Sequence, residues 1–119
     1  MTRQDLENLF RFNEFVLGKN LADLTHADSL AQATPGGSSI HWIVGHLLAT
    51  RNATLRLLGE SPIWPDEEAA AFARGTRSLG PGEARMPFDR MLAAQTLVHG
   101  FKLLSPDPCF AAYGIEPTW

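Results

Sequence analysis

The sequence has a single cysteine, Cys109, in 119 residues. One cysteine excludes an internal disulfide, and it excludes the metal and redox sites that are built on paired cysteines. Positive charge is also scarce, because 10 Lys and Arg stand against 13 Asp and Glu for a net charge of −3. These basic residues form no run or stripe, so nucleic acid is not an expected partner.

Long apolar runs and the common catalytic motifs are missing as well. The opening residues, MTRQDLENLFRFNEF, carry charges among their apolar positions and so lack the apolar core of a signal peptide. No later run is long enough to span a bilayer, so we expect a cytoplasmic protein with no membrane partner. The sequence also contains no HExxH, HxxxH or GxSxG motif and no glycine-rich phosphate loop.

Helical periodicity is the main positive signal. Apolar residues recur at steps of three and four in three stretches, which predicts long helices at about residues 3–25, 39–58 and 87–104. Thr2 is placed to cap the first of these helices, and Ser38 or Ser39 the second.

The remaining segments predict no strand. The long connection at 60–85 contains a predicted short helix from Asp66 to Arg74, and the tail at 105–119 has neither helical nor strand spacing. Gly59 stands where a glycine ends the second helix. We therefore predict one all-α domain, an up-and-down helical bundle.

His46 lies in an apolar part of the second predicted helix, within SIHWIVGHLLATRN. At 100° per residue it shares a side with Ser39, Trp42, Ile43, Ala49, Thr50, Ala53 and Leu57, and we expect this side to face the bundle interior. Two interpretations stay open: His46 is a core residue whose nitrogens are satisfied, or it is a metal ligand.

The other histidines do not complete a site by their spacing. His41 lies about 140° from His46 around the same helix, so the two cannot share one ion. His26 falls at the predicted C-terminal end of the first helix, where a positive charge is favourable. His99 could approach His46 only if the second and third helices pack with those faces together.

Three segments together resemble the DinB superfamily of four-helix-bundle proteins, also called DinB/YfiT-like proteins. They are TPGGSSIHWIVGHLLATRNATLRLLGE, IWPDEEAAAFARGTR and PFDRMLAA, and the similarity runs from about Leu6 to Leu104. The resemblance implies a divalent metal ion, zinc or nickel, held by three histidines, and a transfer reaction that uses a small thiol. Its second-helix ligand corresponds to His46.

The family's other two ligands form an HxxxH pair on a later helix, which this sequence does not match. The closing residues PDPCFAAYGIEPTW do not resemble that helix, so we expect a bundle truncated relative to the usual four helices. His99 and Cys109 could supplement His46. Because catalytic zinc needs about three protein ligands, we expect metal binding to be weak or absent.

Two functions are compatible with these patterns. The first is a metal-dependent enzyme of the DinB type, with thiol-transferase chemistry and an incomplete metal site. The second is a non-catalytic helical protein that forms a homodimer and has a binding or structural role. In the second case, the apolar surface left by the missing helix forms a two-fold interface.

Overall fold

The structure, a computed structural model, describes residues 1–84 together with 87, 88, 90, 91 and 93. This part of the chain is all-α and contains no strand, which confirms the predicted class. Its helices are α1 (Arg3–Leu21), α2 (His26–Leu30), α3 (Ile40–Leu57) and α4 (Asp66–Ala69), and a 3₁₀ turn, Ala70–Phe72, follows α4 directly.

Helix α1 begins where the sequence predicts and ends earlier. Thr2 and Asp5 form a reciprocal capping box at its start. The helix ends at Leu21, and Asp23 adopts a left-handed backbone conformation with φ of 64°. The prediction of one helix to about Thr25 is therefore wrong, because Thr25 caps a second helix, α2, through a capping box with Asp28.

Helix α3 matches its predicted bounds to within a residue at each end. The Ser39 hydroxyl accepts the backbone N–H of Trp42 at 3.1 Å, which satisfies a donor that the first turn leaves unpaired. At the other end Gly59 has φ of 79°, and the N–H of Glu60 donates to the carbonyl of Leu55. The N–H of Gly59 also donates to the carbonyl of Arg56, and these two bonds form a Schellman motif. The left-handed backbone of this motif explains why position 59 is a glycine.

The connection after α3 is held by the side chain of Asn52. Its Oδ1 accepts the backbone N–H groups of Ile63 (2.8 Å) and Trp64 (3.1 Å), and its Nδ2 donates to the Trp64 carbonyl at 2.6 Å. Trp64 is thereby fixed in the core, and its indole N–H donates to Glu68. The predicted short helix follows as α4 and the 3₁₀ turn.

The core lies on one side of α3. It gathers residues from α1, α3, the connection and the predicted third helix, of which residues 88, 90, 91 and 93 are described and helical. The rest of that helix and the tail at 105–119 lie outside the described residues. The buried apolar cluster consists of Leu21, Val44, Leu48, Trp64, Phe72, Phe88 and Met91.

Gly45 is required in α3 because the Phe72 ring packs directly on its backbone. A Cβ added to Gly45 would lie 2.2 Å from Cδ1 of Phe72. We expect Gly45→Ala to lower the free energy of unfolding by about 3 kcal/mol, the scale of severe overpacking. Chemical denaturation measures the change.

Gly18 in α1 provides the matched control, since a Cβ there meets nothing within 4 Å. Gly18→Ala should raise the free energy of unfolding by about 1 kcal/mol through helix propensity. Adding Phe72→Leu to Gly45→Ala should recover part of the lost stability. Equal stability of the two alanine variants would contradict the packing argument.

Candidate functional site

The face of α3 that enters the core differs from the predicted one. Its buried residues are His41, Val44, Gly45, Leu48 and Asn52. On the predicted side, Ile43 is 45% exposed, Leu57 is 89% exposed, and Thr50 and Ala53 are also exposed. The fully buried imidazole is that of His41, whereas His46 is half-buried at the margin of the core.

His46 contacts the turn that contains Phe72. Its Nδ1 lies 2.8 Å from the Phe72 carbonyl oxygen, and because a carbonyl can only accept, Nδ1 carries the proton. In the neutral ring this fixes the tautomer and leaves the lone pair on Nε2. The ring also stacks on the Trp42 indole, with centroids 4.8 Å apart and planes 8° from parallel.

Trp42 makes a further contact between α3 and the segment that contains Phe72. Its indole N–H donates to the Thr76 hydroxyl at 2.9 Å. That hydroxyl lies 2.8 Å from the carbonyl oxygen of Ala73 and 2.9 Å from that of Ala71, and donates to one of them. Trp42, Gly45 and His46 thus form one surface of α3 that receives residues 71–76, hereafter the docked turn.

His41 and His26 contact each other close to the Phe72 ring. The His41 ring lies 5.6 Å from the His26 ring in an edge-on arrangement and 5.4 Å from the Phe72 ring. His26 Nδ1 accepts the backbone N–H of Phe88 at 3.2 Å. The expected role of His26 at the C-terminal end of a helix is therefore wrong, because His26 is the first residue of α2 and caps a different backbone N–H.

Whether these histidines fit a metal ion depends on which ring nitrogens have a lone pair available. His46 fits as one ligand, since ligating histidines commonly donate their other ring N–H to a carbonyl. Nδ1 of His26 is already used as an acceptor, so in the neutral ring its Nε2 carries the proton and offers no lone pair. Within the described ranges, no three His, Cys, Asp or Glu residues gather as a metal site. His99 and Cys109 lie outside those ranges.

Besides the histidines, Glu14 of α1 and Arg51 of α3 form a second polar pair through the electrostatic interaction of their charges. Glu14 and Arg51 are each partly buried, and Oε2 of Glu14 and Nη1 of Arg51 are inaccessible to solvent. Neither atom has a hydrogen-bond partner among the described residues. Burial raises the pKa of Glu14 from 4.5 to about 7, and the charge of Arg51 opposes this shift only in part.

Apolar content predicts neither the burial of His41 nor the Glu14 pair. The sequence does contain a signal for His41, because positions 41, 44, 45, 48 and 52 recur at helical spacing. Apolar periodicity hides this signal because two of those residues, His41 and Asn52, are polar. Glu14 carried no such signal, since its neighbour Arg51 is 37 positions away in the sequence.

Comparison of the chain with protein-family models, with curated proteins and with solved structures found no match. No helix in the described part of the chain is long and apolar enough to cross a membrane.

Glu14 should make the stability depend on pH. Its pKa is higher in the folded than in the unfolded chain, so the folded state binds the proton more tightly. The contribution is favourable below about pH 4.5 and is lost as the pH rises through about 7. We expect Glu14→Gln to flatten this decline and to be more stable than the wild type above about pH 8.

Urea denaturation at a series of pH values measures this dependence. Glu60→Gln is the control, because Glu60 is an exposed carboxylate in the connection. It should leave the decline unchanged. An identical pH profile for the wild type and Glu14→Gln would show that burial does not perturb this carboxyl.

Proposed function

We propose that this chain is a DinB-like helical protein in which His46 is a ligand for a divalent metal ion, zinc or nickel, at an incomplete site. One observation supports the proposal: the Phe72 carbonyl fixes the proton on Nδ1 of His46 and leaves Nε2 able to ligate. The truncated up-and-down bundle of that family is part of the same proposal.

Because the ligand set is incomplete, only limited chemistry can be proposed for this site. A divalent ion at such a site would stabilise the thiolate of a small thiol, which is the reactive form in the transfer reaction of the family. The described residues bring no group of three potential ligands together, whereas a catalytic zinc site needs about three. We therefore expect weak metal binding and assign no catalytic step.

A structural role for His46 is the competing explanation. Its bond to Phe72 and its stacking on Trp42 both hold the docked turn, and they do so without any metal. The two roles differ in one consequence. A ligand loses metal binding when the imidazole is removed, whereas a structural residue loses only stability.

Metal titration of the wild type and His46→Ala separates these roles. We expect zinc or nickel binding in the wild type, measured by calorimetry and elemental analysis, and its loss in His46→Ala. Trp42→Phe is the control, since it removes the indole bond to Thr76 and leaves the imidazole; it should keep the metal. Equal metal content in the wild type and His46→Ala, with stability lowered by about 1–3 kcal/mol, would assign His46 a structural role.

A second candidate function is a homo-oligomeric helical protein without catalysis. The observation that favours it is the large apolar surface of α1, where side chains are between 38% and 63% exposed. Exposed apolar patches of this kind mark interaction sites. The residues concerned are Leu6, Leu9, Phe10, Phe12, Phe15 and Val16, of which Leu9, Phe12, Phe15 and Val16 share one side of the helix.

Sedimentation velocity over a range of concentrations tests this candidate. We expect a dimer that dissociates on dilution, because the area that one helix face can bury falls below the roughly 800 Å² per partner of a standard interface. A folded monomer at every concentration would exclude the oligomeric function. The metal titration does not depend on this result.

A further inference from the structure

The side of α1 that faces away from the core carries a self-complementary pattern. At about 100° per residue, seven residues share this side, and all of them are exposed. We call them the α1 seam. They are Asp5, Asn8, Leu9, Phe12, Phe15, Val16 and Lys19. On the opposite side of α1, Leu21 lies in the core and Leu17 packs against it.

Three seam residues form a line along the helix. Asp5, Phe12 and Lys19 are spaced at intervals of seven residues, which is nearly two full turns. Phe12, 63% exposed, is at the midpoint, with a negative charge at one end of the line and a positive charge at the other. Leu9 and Val16 flank the line on one side, and Asn8 and Phe15 flank it on the other.

This arrangement distinguishes between the two ways of pairing α1 with a second α1. Parallel pairing places Asp5 opposite Asp5 and Lys19 opposite Lys19, so that like charges meet at both ends. Antiparallel pairing about Phe12 places Asp5 opposite Lys19 at both ends and Leu9 opposite Val16. The antiparallel arrangement alone matches the charges of the seam. It also brings Leu9 and Val16 together, while Asn8 faces Phe15.

Both charged ends are already ordered along α1. The Asp5 carboxylate accepts hydrogen bonds from the backbone N–H and the hydroxyl of Thr2, each at 2.8 Å, and these bonds lower its pKa. The Lys19 ammonium lies 5.7 Å from the centroid of the Phe15 ring. The negative charge is therefore fixed at the N-terminal end of the seam, and the positive charge lies beside an apolar residue of the seam.

We propose that α1 pairs with α1 of a second copy of this chain, antiparallel and with Phe12 on the two-fold axis. The proposal rests on the self-association described above as the second candidate function. It adds the surface, the orientation and the register of the interface.

A charge-reversal test addresses the ends of the seam. Lys19→Glu would place a negative charge opposite Asp5 at two symmetry-related contacts, and we expect the dimer dissociation constant to rise about tenfold. Arg11→Glu is the matched control, with the same charge change on the same helix about 100° away from the Phe12 line. It should alter the dissociation constant much less, and circular dichroism checks that both variants keep their helices.

A crosslinking test addresses the orientation. In a Cys109→Ser background, Leu9→Cys and Val16→Cys are prepared separately and then mixed under oxidising conditions. Antiparallel pairing crosslinks the mixture far more than either variant alone, whereas parallel pairing keeps positions 9 and 16 at different heights along the helices and gives the mixture no such advantage. Arg11→Cys, off the seam, should form no crosslinked dimer in either case.

The outcomes separate this proposal from the one on which it rests. A wild type that stays monomeric overturns both. A wild-type dimer that Lys19→Glu and Arg11→Glu weaken equally, with no crosslink between positions 9 and 16, overturns the α1 pairing and leaves self-association standing. Crosslinking of the mixture together with weakening by Lys19→Glu supports both.

Discussion

The contact between the Phe72 ring and the Gly45 backbone is the constraint on which the rest of the described structure depends. The connection after α3 has to return to α3 for its aromatic residues to be buried. Because Gly45 has no side chain, the Phe72 ring can pack directly on the α3 backbone at this position. Trp64 packs on the same ring, with centroids 5.3 Å apart. Phe88 and Met91, both fully buried, join the same cluster.

The docking of this turn gives a physical explanation for two segments of the sequence. The segment IHWIVGH supplies the surface of α3, and AFARGT supplies the turn that lies on it. Gly45 admits the ring of Phe72, His46 donates to its carbonyl, and Trp42 donates to Thr76. The Gly-His pair therefore has a packing reason independent of any metal ion, and His46 keeps a nitrogen available for one.

Helix α1 has apolar residues on two opposite sides, one packed on the core and one exposed. Leu17 and Leu21 attach its C-terminal half to the core, while the seam around Phe12 remains exposed. A helix that is apolar on both sides is characteristic of burial between two partners. Helix α1 also carries the partly buried Glu14, which interacts with the charge of Arg51 on α3 and whose pKa burial raises to about 7.

The sequence by itself determined the helical class, the capping residue Thr2, a serine cap at 38 or 39, and the glycine that ends α3, because these depend on residues within a few positions of one another. It predicted one helix where there are two. Thr25 caps α2, but threonine also occurs inside helices, so its presence alone does not mark a helix boundary.

Only the tertiary structure decided which side of α3 is buried. Apolar content favoured the side of Ile43 and His46, yet the chain buries the side of His41 and Asn52. Asn52 can be buried because the backbone of Ile63 and Trp64 satisfies its side chain from more than ten residues away. Burial of a polar group depends on such distant partners, and local periodicity contains no information about them.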